Sequence, residues 1–122
     1  MGKNMGFEFN NNAPLYLQMA EQIKAQIIAN EYSLGAKLPS VRDLSMQHRV
    51  NPNTVQKALN ELESQGLITT ERTNGKFVTK DQSIIDRVKK QIVKSKVDEF
   101  FSAMQGLGYD KEQIINIVKN KE

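Results

Sequence analysis

Cysteine is absent from the 122-residue sequence, and histidine occurs once, at His48. Without cysteine there are no disulfides, no thiolate nucleophile and no cysteine-held metal, and a reducing cytoplasm is the expected compartment. A single histidine makes a histidine-based zinc centre or a Ser-His-Asp triad unpromising. Neither an enzyme nor a bound metal or cofactor is therefore expected. No apolar run approaches the roughly 20 residues that span a bilayer, and residues 1–12 lack the apolar core of a signal peptide, so no membrane role is expected. Internal repeats and low-complexity tracts are also missing. What is present is ordinary globular material, 39% apolar and 25% charged. Its length suits one domain, or one small domain with an appendage.

The formal charge is only +3, but it is unevenly placed. Residues 1–36 carry a net −1 and residues 81–122 a net +1, whereas residues 37–80 hold seven basic side chains against four acidic ones. A basic middle third fits either a solvated face or an anionic partner, and the motifs decide between them.

Residues 1–12 read as an irregular lead-in. Pro14 is suited to a first helical turn, and Tyr16, Ala20, Ile23 and Ile27 recur at helical spacing up to about Asn30. After a turn around Gly35, Ser40 is a good N-cap, with Asp43 placed for the reciprocal half of a capping box. The second helix is expected over Val41 to His48, burying Val41, Leu44 and Ser45 or Met46. Asn51 as N-cap and Pro52 at the first helical position open a third helix. That helix runs to about Gln65, where Gly66 terminates it. Two short helices joined by a tight turn form a helix-turn-helix. Two β-rich runs follow, Leu67 to Arg72 and Phe77 to Thr79, with the hairpin signal Asn74-Gly75 between them. The hairpin makes the unit a winged helix. From Gln82 a helical stripe returns and ends at Gly106-Leu107-Gly108, and Lys111 to about Lys119 forms a last amphipathic helix. The expected fold is mainly α (α+β): a winged helix-turn-helix over residues 7–79, then a short two-helix tail over 80–122.

The third helix has two unlike faces. Val55, Ala58, Leu59 and Leu62 fall on one side, whereas Asn53, Gln56, Lys57 and Asn60 fall on the other, with Thr54 at the edge. Asn and Gln pair bidentately with adenine in the major groove, Thr meets a thymine methyl, and Lys takes guanine or phosphate. A merely solvated face would favour Glu and Lys over amides. Arg42 lies in the first turn of the second helix, where free N–H groups favour phosphate, and the Ser40 hydroxyl can add a backbone contact. The alternative for Arg42 is a salt bridge with Glu61 or Glu63. At the wing, Arg72, Asn74, Gly75 and Lys76 lie near the tip. There they either reach a minor groove and its flanking phosphates or form an ordinary charged turn.

The ordered segments Leu38-Pro39-Ser40-Val41-Arg42-Asp43-Leu44, Val50-Asn51-Pro52-Asn53-Thr54-Val55 and Leu62-Glu63-Ser64-Gln65-Gly66-Leu67-Ile68 resemble the winged helix of GntR-type transcriptional regulators. Ala13-Pro14-Leu15-Tyr16-Leu17-Gln18 matches the start of that domain. The Asn-Pro-Asn-Thr-Val segment and the short tail are similar to the YtrA subfamily. The resemblance implies DNA contacts at Arg42, Asn53, Thr54, Gln56 and Gly75. Thr73 departs from the pattern by replacing a wing glycine, which changes the turn. Pro52 and Gln56 stand where other branches carry arginine.

About 43 residues follow Lys80, too few to enclose an effector pocket, and two such helices cannot bury their apolar faces alone. Ile92, Val97, Phe100, Phe101 and Met104 are the expected dimer core, as in YtrA-type proteins. A two-fold dimer selects a palindromic operator. The sequence thus predicts a cytoplasmic, homodimeric, DNA-binding transcriptional repressor. The resemblance implies control of its own operon, one encoding an ABC transporter. Two rival functions use the same fold: a winged module for protein–protein contact, and a replication or partition protein that binds DNA.

Overall fold

The computed structural model describes residues 6–121. The chain runs α1 (Leu15–Ile28), α2 (Val41–His48), α3 (Pro52–Ser64), β1 (Ile68–Glu71), β2 (Gly75–Val78), α4 (Gln82–Gly106) and α5 (Lys111–Lys119). This is a winged helix with a two-stranded antiparallel hairpin and two further helices.

The apolar stripe of α1 buries Met19, Ala20, Ile23 and Ile27, and that of α3 buries Val55, Ala58, Leu59 and Leu62. The two helices pack chiefly on each other. Leu38, Leu44, Leu67, Ile68 and Val78 complete this core. Full burial of each such side chain is worth about 1.5–3 kcal/mol, so the stripe of α3 fixes which of its faces is left to solvent.

The second helix differs from expectation in what it buries. Leu44 and His48 are its buried residues, Val41 is half-buried and Met46 is 68% exposed. Positions four apart share a helix face, which places His48 below Leu44 and turns Met46 outward. Phe7 stacks on His48 with ring centroids 3.8 Å apart, so the lead-in is tied to the core at that point. Its Gln18 neighbour fastens the same segment by donating to the carbonyls of Asn10 and Ala13 at 2.8 and 2.7 Å.

The wing is broader than a hairpin. Its register pairs Ile68 with Val78 and Glu71 with Gly75. On the other side of β2, Leu38 N–H donates to Lys76 C=O at 2.9 Å and Val78 N–H to Ala36 C=O at 2.8 Å, forming a bridge between Lys37 and Phe77. Nothing in the side-chain pattern of residues 35–38 announced this pairing, which is made by backbone alone.

Contacts divide the chain into two compact units, one ending at Ile85 and one beginning at Asp86. The division falls inside α4, beyond the junction expected between residues 79 and 80. In the second unit Ile114 is fully buried, and Asp110 and Gln113 cap α5 reciprocally at 2.8 and 2.9 Å.

Candidate nucleic-acid interface

Two capped helix starts position the polar face. Ser40 Oγ accepts from Asp43 N–H at 3.0 Å and so opens α2, although the reciprocal half expected of Asp43 is not part of this cap. Asn51 Oδ1 accepts from Asn53 N–H at 2.8 Å and opens α3, with Pro52 at its first position. Between them Arg49, at φ +57°, ends α2, and the Ser45 hydroxyl donates to Val50 C=O at 2.5 Å. The turn is thereby held from both sides.

Arg42 is exposed in the first turn of α2. Its two expected carboxylate rivals are otherwise engaged: Glu61 accepts from Gln65 Nε2 at 3.0 Å, and Glu63 from the Thr70 hydroxyl at 3.0 Å. On α3, Asn53, Lys57 and Asn60 are exposed, and Thr54 and Gln56 are half-exposed. Gln56 Nε2 donates to Asn60 Oδ1 at 2.9 Å. That bond orients both amides and leaves Gln56 Oε1 and Asn60 Nδ2, an acceptor and a donor, without a partner among the described residues. The Lys57 ammonium lies 4.9 Å from the centre of the Tyr16 ring, a cation–π contact that holds it beside the start of α1.

At the wing, Arg72, Thr73 and Asn74 form an exposed turn closed by Asn74 N–H donating to Glu71 C=O at 3.1 Å. Gly75 follows at φ +102°, a conformation that side-chain-bearing residues rarely adopt. Asn74 and Gly75 therefore do not form a two-residue turn; Gly75 is the first residue of β2. Lys76 is placed differently from its neighbours. Its side chain is 15% exposed, and its ammonium lies 2.7 Å from Thr70 Oγ1 and 3.5 Å from Glu63. It ties the hairpin to the last turn of α3.

The structure gathers several of these groups around one cavity of about 480 Å³, lined by Ser40, Gln56, Arg72, Asn74 and Gly75. Arg42, Asn53 and Asn60 lie outside its lining, on the exposed surfaces of α2 and α3. Lys37 also lines the cavity, and sequence reasoning missed it because its place depends on the bridge to Phe77.

His48 has a structural position. Phe7 N–H donates to its Nδ1 at 3.0 Å, which fixes the neutral ring as an acceptor there, and burial holds its pKa below the ordinary histidine value. Among the described residues no three carboxylate or imidazole groups are placed to hold a metal ion, and no helix is long and apolar enough to cross a membrane.

The expected tail residues lie in the second unit. Val97 and Phe100 are 47% and 42% exposed, and Ile92, Phe101 and Met104 are half-buried. Phe100 and Phe101 meet edge to face at 5.9 Å. Val93, Leu107, Ile115, Ile117 and Val118 add further exposed apolar surface to this unit.

Residues 15–78 match the family model described as bacterial regulatory proteins of the gntR family. Over 115 residues the chain is 36% identical to an uncharacterized HTH-type transcriptional regulator, YhcF of Bacillus subtilis, covering 94% of this chain and 95% of that one. It is 30% identical over 110 residues to the HTH-type transcriptional repressor YtrA of the same organism, covering 89% and 85%. A GntR family transcriptional regulator from Listeria monocytogenes has a similar structure, with a TM-score of 0.85 and 39% identity over 93% of this chain and all of that one. The DNA-binding domain of AraR, solved with an operator, superposes with a TM-score of 0.56 and 30% identity, covering 59% and 93%. With the winged helix, the caps and these likenesses together, the chain belongs to the GntR family of DNA-binding transcriptional regulators.

Proposed function

We propose that the chain is a homodimeric repressor that acts in the cytoplasm and inserts α3 of each copy into the major groove of a palindromic operator. The observation that carries this reading is the solvent face of α3. Asn53 is exposed at its start, and Gln56 and Asn60 are held as an ordered acceptor–donor pair, the combination that the adenine edge requires. Arg42 serves as a phosphate clamp, with the Ser40 hydroxyl beside it, and Thr54 and Lys57 extend the contact along α3. The turn Arg72 to Gly75 reaches the adjacent backbone. Residues 7–79 form the reading unit and residues 80–122 the dimerisation tail.

Repression follows from occupancy, since an operator covered by two copies is closed to polymerase. The likeness to the repressor YtrA supports this sign of regulation, and the subfamily resemblance implies its own transporter operon as the target. Two recognition helices related by a two-fold axis would read half-sites about one DNA turn, or a multiple of it, apart.

The test separates positioning from reading, on a duplex that the wild-type chain selects from random sequence. Arg42→Ala weakens binding to all sequences and makes the slope of log affinity against log salt shallower by about 0.9, the value for one phosphate. Asn53→Ala instead removes discrimination of about 1–3 kcal/mol at particular base pairs. If neither variant changes affinity or preference, this face does not read DNA. A wild-type chain with no salt-sensitive binding to duplex DNA would instead be a protein-contact module.

A further inference from the structure

Lys76 is the basic residue nearest the wing tip in β2, yet its ammonium is committed to Thr70 and Glu63. A lysine held between a hydroxyl and a carboxylate with its side chain mostly covered is poorly placed to neutralise a phosphate. Besides the exposed Arg72 of its turn, the wing has a further cation, supplied from outside the hairpin. Residues 35–38 pair with β2 through Lys37 and Phe77. In an antiparallel pair, opposed residues share a face of the sheet, and alternate residues along a strand return to it. Lys37 therefore shares its face with Phe77 and Gly75, opposite to that of Lys76.

The Lys37 stem lies across the wing tip. A Cβ built on Gly75 would be 3.4 Å from Lys37 Cε, an ordinary contact distance, so the stem passes close against this residue. Lys37 is exposed, and none of the ion pairs among the described residues involves its ammonium. The nearby Glu71 accepts from Asn74 Nδ2 at 3.3 Å. Lys37 and Lys76 both line the cavity that Gln56 shares with the wing turn, so it is the pairing of Lys76 with Thr70 and Glu63 that separates the two.

We infer that Lys37, rather than Lys76, is the cation that joins Arg72 of the wing turn in binding DNA phosphate beside the groove entered by α3. The inference rests on the reading of α3 given above. A flexible ammonium on an unpaired stem contacts phosphate as a point charge and carries no base preference. Gly75, at φ +102°, turns the wing beside the lysine stem.

Salt titrations of Lys37→Gln, Lys76→Gln, Lys37→Arg and Arg42→Ala on the selected duplex test the assignment. Lys37→Gln weakens binding about five- to tenfold at about 0.1 M salt and makes the salt slope shallower by about 0.9, without changing base preference. Lys37→Arg restores the slope, and Lys76→Gln leaves it at the wild-type value. A wild-type affinity and slope for Lys37→Gln, with Arg42→Ala weakened, overturns the Lys37 assignment and leaves the reading of α3 intact. A shallower slope for Lys76→Gln returns the role to Lys76 and overturns the assignment equally. Wild-type behaviour in all four variants overturns the DNA-reading face and, with it, this inference.

Discussion

His48 links the stability of the winged unit to pH on the acid side of neutrality. The ring is buried, stacked on Phe7 at 3.8 Å, and accepts Phe7 N–H on Nδ1 at 3.0 Å. Protonation would place a charge in that site and turn the acceptor into a donor, and burial lowers the native pKa below about 6.5. In the window between the lowered native value and the ordinary one, the unfolded chain binds more protons than the folded chain. Stability from this residue is therefore fully present above about pH 6.5 and is lost as pH falls through the native value. Urea unfolding midpoints should fall on acidification through that window, and His48→Gln should show a flatter profile than the wild type. Equal profiles would remove His48 as the cause. The same residue shows how a single histidine can be occupied by packing and leave no sign of catalysis.

The caps set the elements that form the interface. Asn51 accepts from Asn53 N–H at 2.8 Å at the very residue where α3 begins to face outward. Asn51→Ala should cost about 1 kcal/mol, the usual value of an N-cap. In a thermal melt it should lower the midpoint by several degrees, about 4–8 °C per kcal/mol for a domain of this size. It should also weaken operator binding beyond that loss, because the first turn of α3 frays. Cap residues such as Asn51 and Ser40 act within two or three positions of themselves, which is why the bounds of α2 and the start of α3 were legible in the sequence. The two-faced pattern of α3 was legible for the same reason, since its periodicity is local. The placements of Lys76 and Lys37 were not: that of Lys76 depends on the exact hairpin register and on Glu63 of α3, and that of Lys37 on a strand partner remote in sequence, Phe77. The reciprocal cap at Asp110 and Gln113 was open to the same reasoning as the one expected at Ser40 and Asp43, but only the first forms completely. Aspartate has a shorter reach than glutamine.

For the whole molecule, the apolar surface of the second unit is the controlling quantity. Val93, Val97, Phe100 and Met104 recur three and four positions apart along α4, and the first three are at least 42% exposed. Such a stripe is stable in water when it meets a like stripe, and in the proposed dimer a second copy of the chain supplies one. Phe100→Glu should convert the proposed dimer to a monomer in sedimentation while the far-UV signature of the fold persists. Operator affinity should then fall by one to several orders of magnitude, since two linked half-site contacts are reduced to one. Persistence of the dimer would place its interface elsewhere.

The backbone pairing of residues 35–38 with β2 bears on more than Lys37. β2 is hydrogen-bonded along both sides, by β1 and by this segment, so in effect it is an interior strand of a three-stranded ribbon. A strand without a free edge cannot recruit another chain. The pairing extends to Gly35, whose N–H donates to Thr79 C=O at 3.2 Å, while Thr79 N–H donates to Leu67 C=O at 2.9 Å. The base of the wing is thus braced from both flanks, and beyond it only the turn from Arg72 to Asn74 is left to adjust to the local width of a groove.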